Sequence, residues 1–284
     1  MTLRRWGISI GIVATIGAVV AGCSPGGRSP QGASTPESAY TPGRNLASFD
    51  VEGDMRTAVL VVPADMSRPA PLVFAFHGHG GQGASMERRS NIEDLFTAAI
   101  VVYPDGLVGH KGKTDPEGVK PGWQTQLGEL EDRDIAFYDT MLATLRSELA
   151  VDPDRIYLMG HSNGSAFVSL LLNQRGDAVA ATATLSAQPP PRLLRSDPVR
   201  SMFMSIGTDD PIVPYDKQQE SIPAAQRKLG VDPAKATVAG YLRSEPGRGN
   251  LELATYVYPG GHAPPPEVFG LVVEFFQRHT LSGG

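Results

Sequence analysis

The sequence predicts an α/β protein in which helices cover both faces of a mostly parallel sheet. Short runs that are apolar throughout, as expected of strands buried on both faces, alternate with segments of helical spacing. Loops rich in glycine and polar side chains follow several of these runs. With 284 residues, 41% hydrophobic and 19% charged, the chain suits one such domain or at most two. The net charge is −5 and no basic arm or stripe is visible, so we expect no nucleic-acid partner.

The first 22 residues are predicted to be a lipoprotein signal peptide rather than part of the fold. A basic start precedes an apolar run from Ile8 to Val20, which is short for a membrane span. Small residues then lead to Cys23, the only cysteine, in a pattern that resembles the bacterial lipobox. Since one thiol cannot form an internal disulfide, we expect Cys23 to carry a lipid. An ordinary signal peptide with a chance cysteine is the alternative.

Residues 23–45 are predicted to form a flexible tether, because they are rich in Ser, Pro, Gly and Thr and show no apolar period. The domain that carries the chemistry is then predicted over residues 46–284. This organisation places the protein outside the cytoplasm, anchored to the cell membrane by its lipid and in part secreted.

The first half of the domain is predicted from its apolar pattern. Met55 to Pro63 is rich in β-branched residues and should be a strand. Pro71 to Phe76 and Ala98 to Tyr103 are apolar throughout, which is typical of buried strands. Leu107 to Gly122 contains no strong element. From Asp134 to Ala150, apolar residues recur on one face of a helix.

The second half continues the alternation of strands and helices. The short strand 156–159 precedes an apolar helix through 167–172. Pro223 is expected to break the helical stretch that follows the strand 201–206. The predicted elements are the strands 156–159, 178–185, 201–206 and 253–258, the helix through 167–172, the helical stretch 218–229 with its break at Pro223, and a terminal helix over 267–279.

Gly160-His161-Ser162-Asn163-Gly164 fits G-x-S-x-G, the turn that presents a nucleophilic serine between a strand and a helix. The chemistry requires the glycines, because larger side chains beside a strained serine would clash with the strand or the helix. The helix that follows directs free N–H groups and its positive dipole end at the position of an oxyanion. We therefore predict that Ser162 is a nucleophile; a plain turn is the alternative.

The order Ser162, Asp210, His262 is the order of a Ser-Asp-His triad. A serine needs a base within hydrogen-bond reach, a histidine can take and return the proton, and a carboxylate fixes the tautomer of the imidazole. Each of these residues, and the His77-Gly81 loop, follows a predicted strand, where open α/β sheets bind ligands. Asp209 and Asp134 are rivals for the acid, the latter more simply a helix cap.

The sequence also indicates roles for four other histidines and for the oxyanion donors. The backbone N–H groups of Asn163 and His79 are predicted to form the oxyanion hole. His77 and His79 have the H-x-H spacing of metal ligands, but no third ligand cluster is near, so we expect neither a metal nor a cofactor. His161 is expected to point away from the pocket, and His279 to interact with the end of the last helix.

Several motifs together resemble one family. They are His77-Gly78, Tyr103-Pro104-Asp105-Gly106, Ser162-Asn163-Gly164, Gly207-Thr208-Asp209-Asp210-Pro211 and Gly260-Gly261-His262. The chain is similar to the polyhydroxybutyrate depolymerase and feruloyl esterase family of α/β-hydrolases, including its lipoprotein members of the LpqC type. The resemblance implies the α/β-hydrolase fold, an esterase activity and a triad of Ser162, Asp210 and His262.

The chain also departs from this family. Prolines rather than a tryptophan follow His262, so feruloyl specificity is not carried over, and Ser165 stands where many members have a second glycine. Trp123 is predicted to line the acyl pocket, with a place in the core as the alternative. The expected function is a serine carboxylesterase that acts on a small or polymeric ester. Acyl transfer to cell-envelope glycans, peptide hydrolysis and an inactive surface-tethered binding protein remain as alternatives.

Overall fold

The part of the chain that the structure describes is built on a ten-stranded sheet. The computed structural model describes residues 38–189 and 197–283. The predicted signal peptide, Cys23 and the tether up to residue 37 lie outside the described residues. The strands are β1 (Gly43–Val51), β2 (Asp54–Val62), β3 (Ala70–Phe76), β4 (Ile100–Pro104), β5 (Val151–His161), β6 (Ala181–Leu185), β7 (Ser201–Gly207), β8 (Thr237–Ala239), β9 (Leu242–Pro246) and β10 (Glu252–Tyr258).

The order of the strands across the sheet is β1-β2-β4-β3-β5-β6-β7-β10-β9-β8. Neighbours from β4 to β10 in this order are parallel, and the pairs at either edge of the sheet are antiparallel. The carboxyl ends of β3, β5, β7 and β10 therefore meet at one edge, as the sequence predicts.

Helices cover both faces of the sheet. They are α1 (Gly83–Ser90), α2 (Ile92–Leu95), α3 (Arg133–Glu148), α4 (Asn163–Arg175), α5 (Tyr215–Gln219), α6 (Ser221–Leu229) and α7 (Glu267–Gln277). Of the helices in the described ranges, none combines the length and apolar character needed to cross a membrane.

The alternation of side chains along β3 builds two separate cores. Leu72 and Phe74 contribute to the core under α3 and α4, whereas Val73 and Ala75 contribute to the core under α1, α2 and α7. All four side chains are fully buried, which explains why this strand is apolar throughout. The predicted fold class, an α/β sheet with helices on both faces, is confirmed.

The structure corrects the sequence prediction at two boundaries. β1 begins at Gly43, so the last residues assigned to the tether lie in a strand whose Ala47 and Phe49 face the core. The helical stretch 218–229 breaks at Glu220 and not at Pro223. Pro223 lies in the first turn of α6, where a proline needs no hydrogen-bonding N–H and is tolerated.

We predict that Gly164→Ala destabilises the protein, because α4 meets the end of β3 at this glycine without space for a side chain. A Cβ at Gly164 would lie 2.5 Å from the carbonyl oxygen of Phe76 and 2.6 Å from that of His77. Such overpacking costs about 1–3 kcal/mol of unfolding free energy, to be measured by urea denaturation.

Gly270→Ala is the matched control for this substitution. Gly270 is also helical, in α7, but a Cβ there would meet nothing within 4 Å. Alanine should therefore stabilise the helix by about 0.5–1 kcal/mol, the propensity difference between the two residues. Equal changes in the two variants would show that packing at Gly164 has no special cost.

Candidate active site

Ser162 lies in the tight turn that joins β5 to α4. Its φ of 54° and ψ of −118° are unusual for a residue with a side chain, and its N–H donates to the carbonyl of Leu185 at 2.8 Å. A Cβ at Gly160 would approach the backbone of Gly164 to 2.4 Å, so only glycine permits the crossing of strand and helix. The Ser165 hydroxyl lies 2.6 Å from the Gly160 carbonyl and accepts the Leu185 N–H at 2.8 Å, which ties the turn to β6.

The structure brings Ser162, Asp210 and His262 together from the ends of β5, β7 and β10. His262 Nε2 lies 2.9 Å from Ser162 Oγ, and His262 Nδ1 lies 2.8 Å from Asp210 Oδ2. Because an ionised carboxylate only accepts, Nδ1 carries the proton and Nε2 is left to accept from the serine hydroxyl. The arrangement can therefore remove a proton from Ser162 and hold the resulting imidazolium.

The Asp210 carboxylate is buried and fully occupied by donors. Its Oδ1 accepts the N–H groups of Ile212 and Val213 at 2.8 and 2.9 Å, and its Oδ2 accepts Gln218 Nε2 at 2.8 Å in addition to His262. Burial on its own would raise the pKa of Asp210, but the hydrogen bond from His262 and those from the backbone outweigh it and lower the pKa. The carboxylate therefore stays ionised beside the imidazole at neutral pH.

Gln218, in α5, is the residue of this site that the sequence analysis missed. Its side chain has no exposed surface and donates both to Asp210 Oδ2 and to the Val213 carbonyl, the latter at 2.6 Å. A glutamine eight residues after an aspartate gives no signal in the sequence. Its role depends on how the chain turns at Pro214 and on the start of α5.

The two rival acids lie elsewhere. Asp209 is exposed, and its backbone N–H donates to the Gly260 carbonyl at 2.9 Å. Asp134 is fully buried in the first turn of α3, where its carboxylate accepts from Arg56 at 3.1 Å and from the Gln124 N–H at 2.8 Å. Asp134 thus fixes the loop before α3 to the sheet and is not a simple cap.

Of the two residues predicted to form the oxyanion hole, His79 lines the cleft beside Ser162, and Asn163 directly follows the serine in the chain. His79, Ser162 and His262 line a cleft of about 240 Å³, and Asn163 begins the helix behind the serine. The backbone N–H groups of His79 and Asn163 donate to no acceptor in the part of the chain that the structure describes. The side chain of Asn163 pairs with both backbone groups of Trp123, at 2.7 and 3.0 Å, and so holds the loop against α4.

His77 and His79 are each engaged within the protein. His77 Nδ1 donates to the Gly78 carbonyl at 2.8 Å and Nε2 accepts the Gly106 N–H at 2.9 Å, while burial lowers the pKa of the ring. His79 Nε2 lies 2.9 Å from Asp115 Oδ2. Within residues 38–189 and 197–283, no three side chains of His, Cys, Asp or Glu gather as metal ligands would.

The expectation that His161 points away from the pocket is wrong. The ring lines the cleft, and its Nε2 donates to the backbone carbonyl of His262 at 2.9 Å. Burial, more than any other cause, lowers the pKa of His161 to about 4, so that the ring is uncharged at neutral pH. The absence of a side chain at Gly78 leaves the space that His161 Nδ1 occupies, 2.9 Å from where a Cβ would be. His161 therefore fixes the loop that carries His262.

The prediction that Trp123 lines the acyl pocket is also wrong. Its side chain has no exposed surface, and its indole N–H donates to the His77 carbonyl at 2.9 Å. The ring stacks on Phe167 with a centroid distance of 5.4 Å and meets the edge of Phe76 at 5.2 Å. Trp123 belongs to the core beneath the catalytic loops. His279, in contrast, bonds the Phe275 carbonyl near the end of α7, as expected.

A larger cavity, of about 570 Å³, lies at the opposite edge of the sheet, by the amino ends of β3 and β5. Asp152 in its wall is paired with Arg155 at 2.6 Å. The cavity holds no serine, cysteine or histidine, so we place the chemistry in the smaller cleft at the carboxyl ends of the strands.

The fold and its site define an α/β-hydrolase. No known protein-family profile matches the chain. It is 27% identical over 259 residues to NocK of Nocardia uniformis subsp. tsuyamanensis, whose name assigns it to the esterases; the match covers 83% of this chain and 72% of the relative. It is 25% identical over 248 residues to feruloyl esterase D of Neurospora crassa, covering 81% and 82% of the two chains.

The fold matches that of acetyl xylan esterase from Aspergillus awamori with a TM-score of 0.64 at 15% identity, over 82% and 99% of the chains. The chain therefore has the α/β-hydrolase fold, resembles feruloyl esterases and is an enzyme of the esterase class.

Proposed function

We propose that the protein is a serine carboxylesterase in which Ser162, Asp210 and His262 form the catalytic triad. The observation that carries the proposal is the position of His262, within 2.9 Å of the Ser162 hydroxyl on one side and 2.8 Å of Asp210 on the other. In this geometry Ser162 is the nucleophile, the His262 imidazole is the base that activates it, and Asp210 orients the imidazole.

In the proposed reaction, Ser162 Oγ attacks the ester carbonyl carbon while its proton passes to His262 Nε2. The N–H groups of His79 and Asn163 stabilise the negative charge that forms on the carbonyl oxygen. His262 then protonates the departing alcohol, and the acyl group remains on Ser162. A water molecule, deprotonated by His262, attacks this acyl-enzyme and releases the acid.

Labelling with a fluorophosphonate probe tests the proposal, because such probes react with activated serines and not with ordinary ones. The purified protein should become labelled on the peptide that contains Ser162 and should hydrolyse p-nitrophenyl esters, whereas heat-unfolded protein should do neither. A folded protein without label or ester turnover would instead favour an inactive binding protein.

We propose further that a lipid on Cys23 holds the enzyme at the outer face of the cell membrane. The lone cysteine after a short apolar run and small residues supports this anchor. Cys23→Ala should move the protein from the membrane fraction to the secreted fraction, or stall its processing, as measured by fractionation and immunoblotting. A processed variant as tightly membrane-bound as the wild type would rule out the lipid.

A further inference from the structure

The cleft beside Ser162 is lined by a positively charged side chain. Among the residues that line it, Arg89 is the only Asp, Glu, Lys or Arg. Arg89 lies in the last turn of α1 and lines the same cleft as Ser162 and His262. The cleft thus carries one positive group and no acid, although the chain as a whole has a net charge of −5.

Arg89 has no carboxylate partner. It is exposed, and within the described residues it takes part in no ion pair or hydrogen bond. Arg44, in contrast, binds Glu87 of α1 at 2.6 Å. The charge of Arg89 reaches into the cleft, because it is one of the causes, after burial and His262, that lower the pKa of His161. An arginine that borders a reaction site without a partner is available to bind an anion.

The acids around the cleft are already occupied. Asp115 accepts from His79 and from the N–H groups of Val119 and Lys120, and Asp210 is enclosed by its own donors. The Lys120 side chain packs beside Gly80 of the cleft wall, with its Cδ 3.5 Å from where a Cβ would be. A negative group bound near Ser162 would therefore meet positive charge and no competing carboxylate.

We propose that the enzyme prefers esters that carry a carboxylate group and that Arg89 binds this carboxylate. The inference rests on the proposed esterase function and names the substrate class of the same site. A guanidinium presents a planar pair of donors to a carboxylate and holds it in one orientation. Because Arg89 is exposed, dissolved salt screens its charge and weakens the preference for anionic esters.

Two matched pairs of esters test the proposal, one for each side of the scissile bond. On the acyl side, p-nitrophenyl hexanoate is compared with mono-p-nitrophenyl adipate, which differs by a terminal carboxylate. On the alcohol side, phenyl acetate is compared with 4-carboxyphenyl acetate. The measured quantity is the ratio of kcat/KM for the anionic ester to kcat/KM for the neutral ester.

Arg89→Gln should lower this ratio about tenfold in at least one pair, the effect of losing one charge-assisted hydrogen bond. Arg88→Gln is the matched control: Arg88 is adjacent on α1 and equally exposed but does not line the cleft, so its ratios should stay at the wild-type values. With the wild-type enzyme, raising KCl from 20 to 500 mM should lower the same ratio, a measurement that does not depend on any variant folding.

The proposal is overturned if Arg89→Gln leaves both ratios within twofold of the wild type, or if the two arginine variants change them equally. Wild-type ratios that do not respond to salt would also overturn it. Ser162→Ala separates this result from a failure of the proposed function. If Ser162→Ala loses turnover of the neutral esters while Arg89→Gln leaves the kcat/KM ratios unchanged, the esterase assignment stands and only the substrate class is wrong.

Discussion

Ser162→Ala is expected to lower kcat for p-nitrophenyl esters by roughly three to six orders of magnitude while the protein stays folded. The hydroxyl that His262 Nε2 faces at 2.9 Å is lost, and no other hydroxyl among the described residues hydrogen-bonds to that imidazole. Activity is to be measured with the purified protein, and folding by circular dichroism and urea denaturation.

Ser165→Ala is the control, since it removes a hydroxyl from the same turn. Ser165 is fully buried and bonds the backbone at Gly160 and Leu185, not His262. Its loss should lower the free energy of unfolding by about 1–3 kcal/mol and change kcat far less. Retention of more than a tenth of the activity by folded Ser162→Ala would reject this serine as the nucleophile.

The central sheet and the proximity of Ser162, Asp210 and His262 could be predicted because both follow from short patterns in the sequence. A run such as Leu72 to Phe76 is apolar throughout only because both faces of its strand are covered. Once strands are known to be parallel, the loops after them must share one edge, which places Ser162, Asp210 and His262 together without knowledge of any distance. The apolar pattern is weaker in the strands at the two edges of the sheet, and β1, β8 and β9 are not predicted from it.

The rest of the site depends on contacts between distant segments. Trp123 and His161 were both misplaced, because neither the burial of an indole nor the direction of an imidazole is set by neighbouring residues. Trp123 is held in the core by Phe167 and by the His77 carbonyl, 46 residues away. His161 turns into the cleft because Gly78, on another strand end, leaves room for it.

Asp210 rather than Asp209 is expected to be the acid of the triad, and Asp210→Asn should lower kcat by up to about ten thousandfold. The environment explains why an asparagine cannot substitute. The N–H groups of Ile212 and Val213 require an oxygen at the Oδ1 position, so the amide oxygen must remain there. The amide NH₂ is then directed at His262 Nδ1.

That nitrogen must now accept a hydrogen bond instead of donating one. The proton of His262 moves to Nε2, which can no longer take the proton of Ser162. Gln218 adds a cost to the variant, because its Nε2 donates to the same Oδ2 position and to the Val213 carbonyl, so two donors would then face each other. The fold itself should survive, since the substitution keeps the shape of the side chain.

Asp209→Asn is the matched control, the same substitution one residue away. Asp209 is exposed, and its backbone bond to Gly260 does not involve the carboxylate, so kcat should change by less than about tenfold. Both variants are to be compared on one p-nitrophenyl ester, with circular dichroism to confirm folding. An amide at Asp210 changes the tautomer of His262, whereas the Asp209 side chain makes no hydrogen bond or ion pair within the described residues, so the two effects should differ by orders of magnitude. The reverse ranking would move the acid to Asp209.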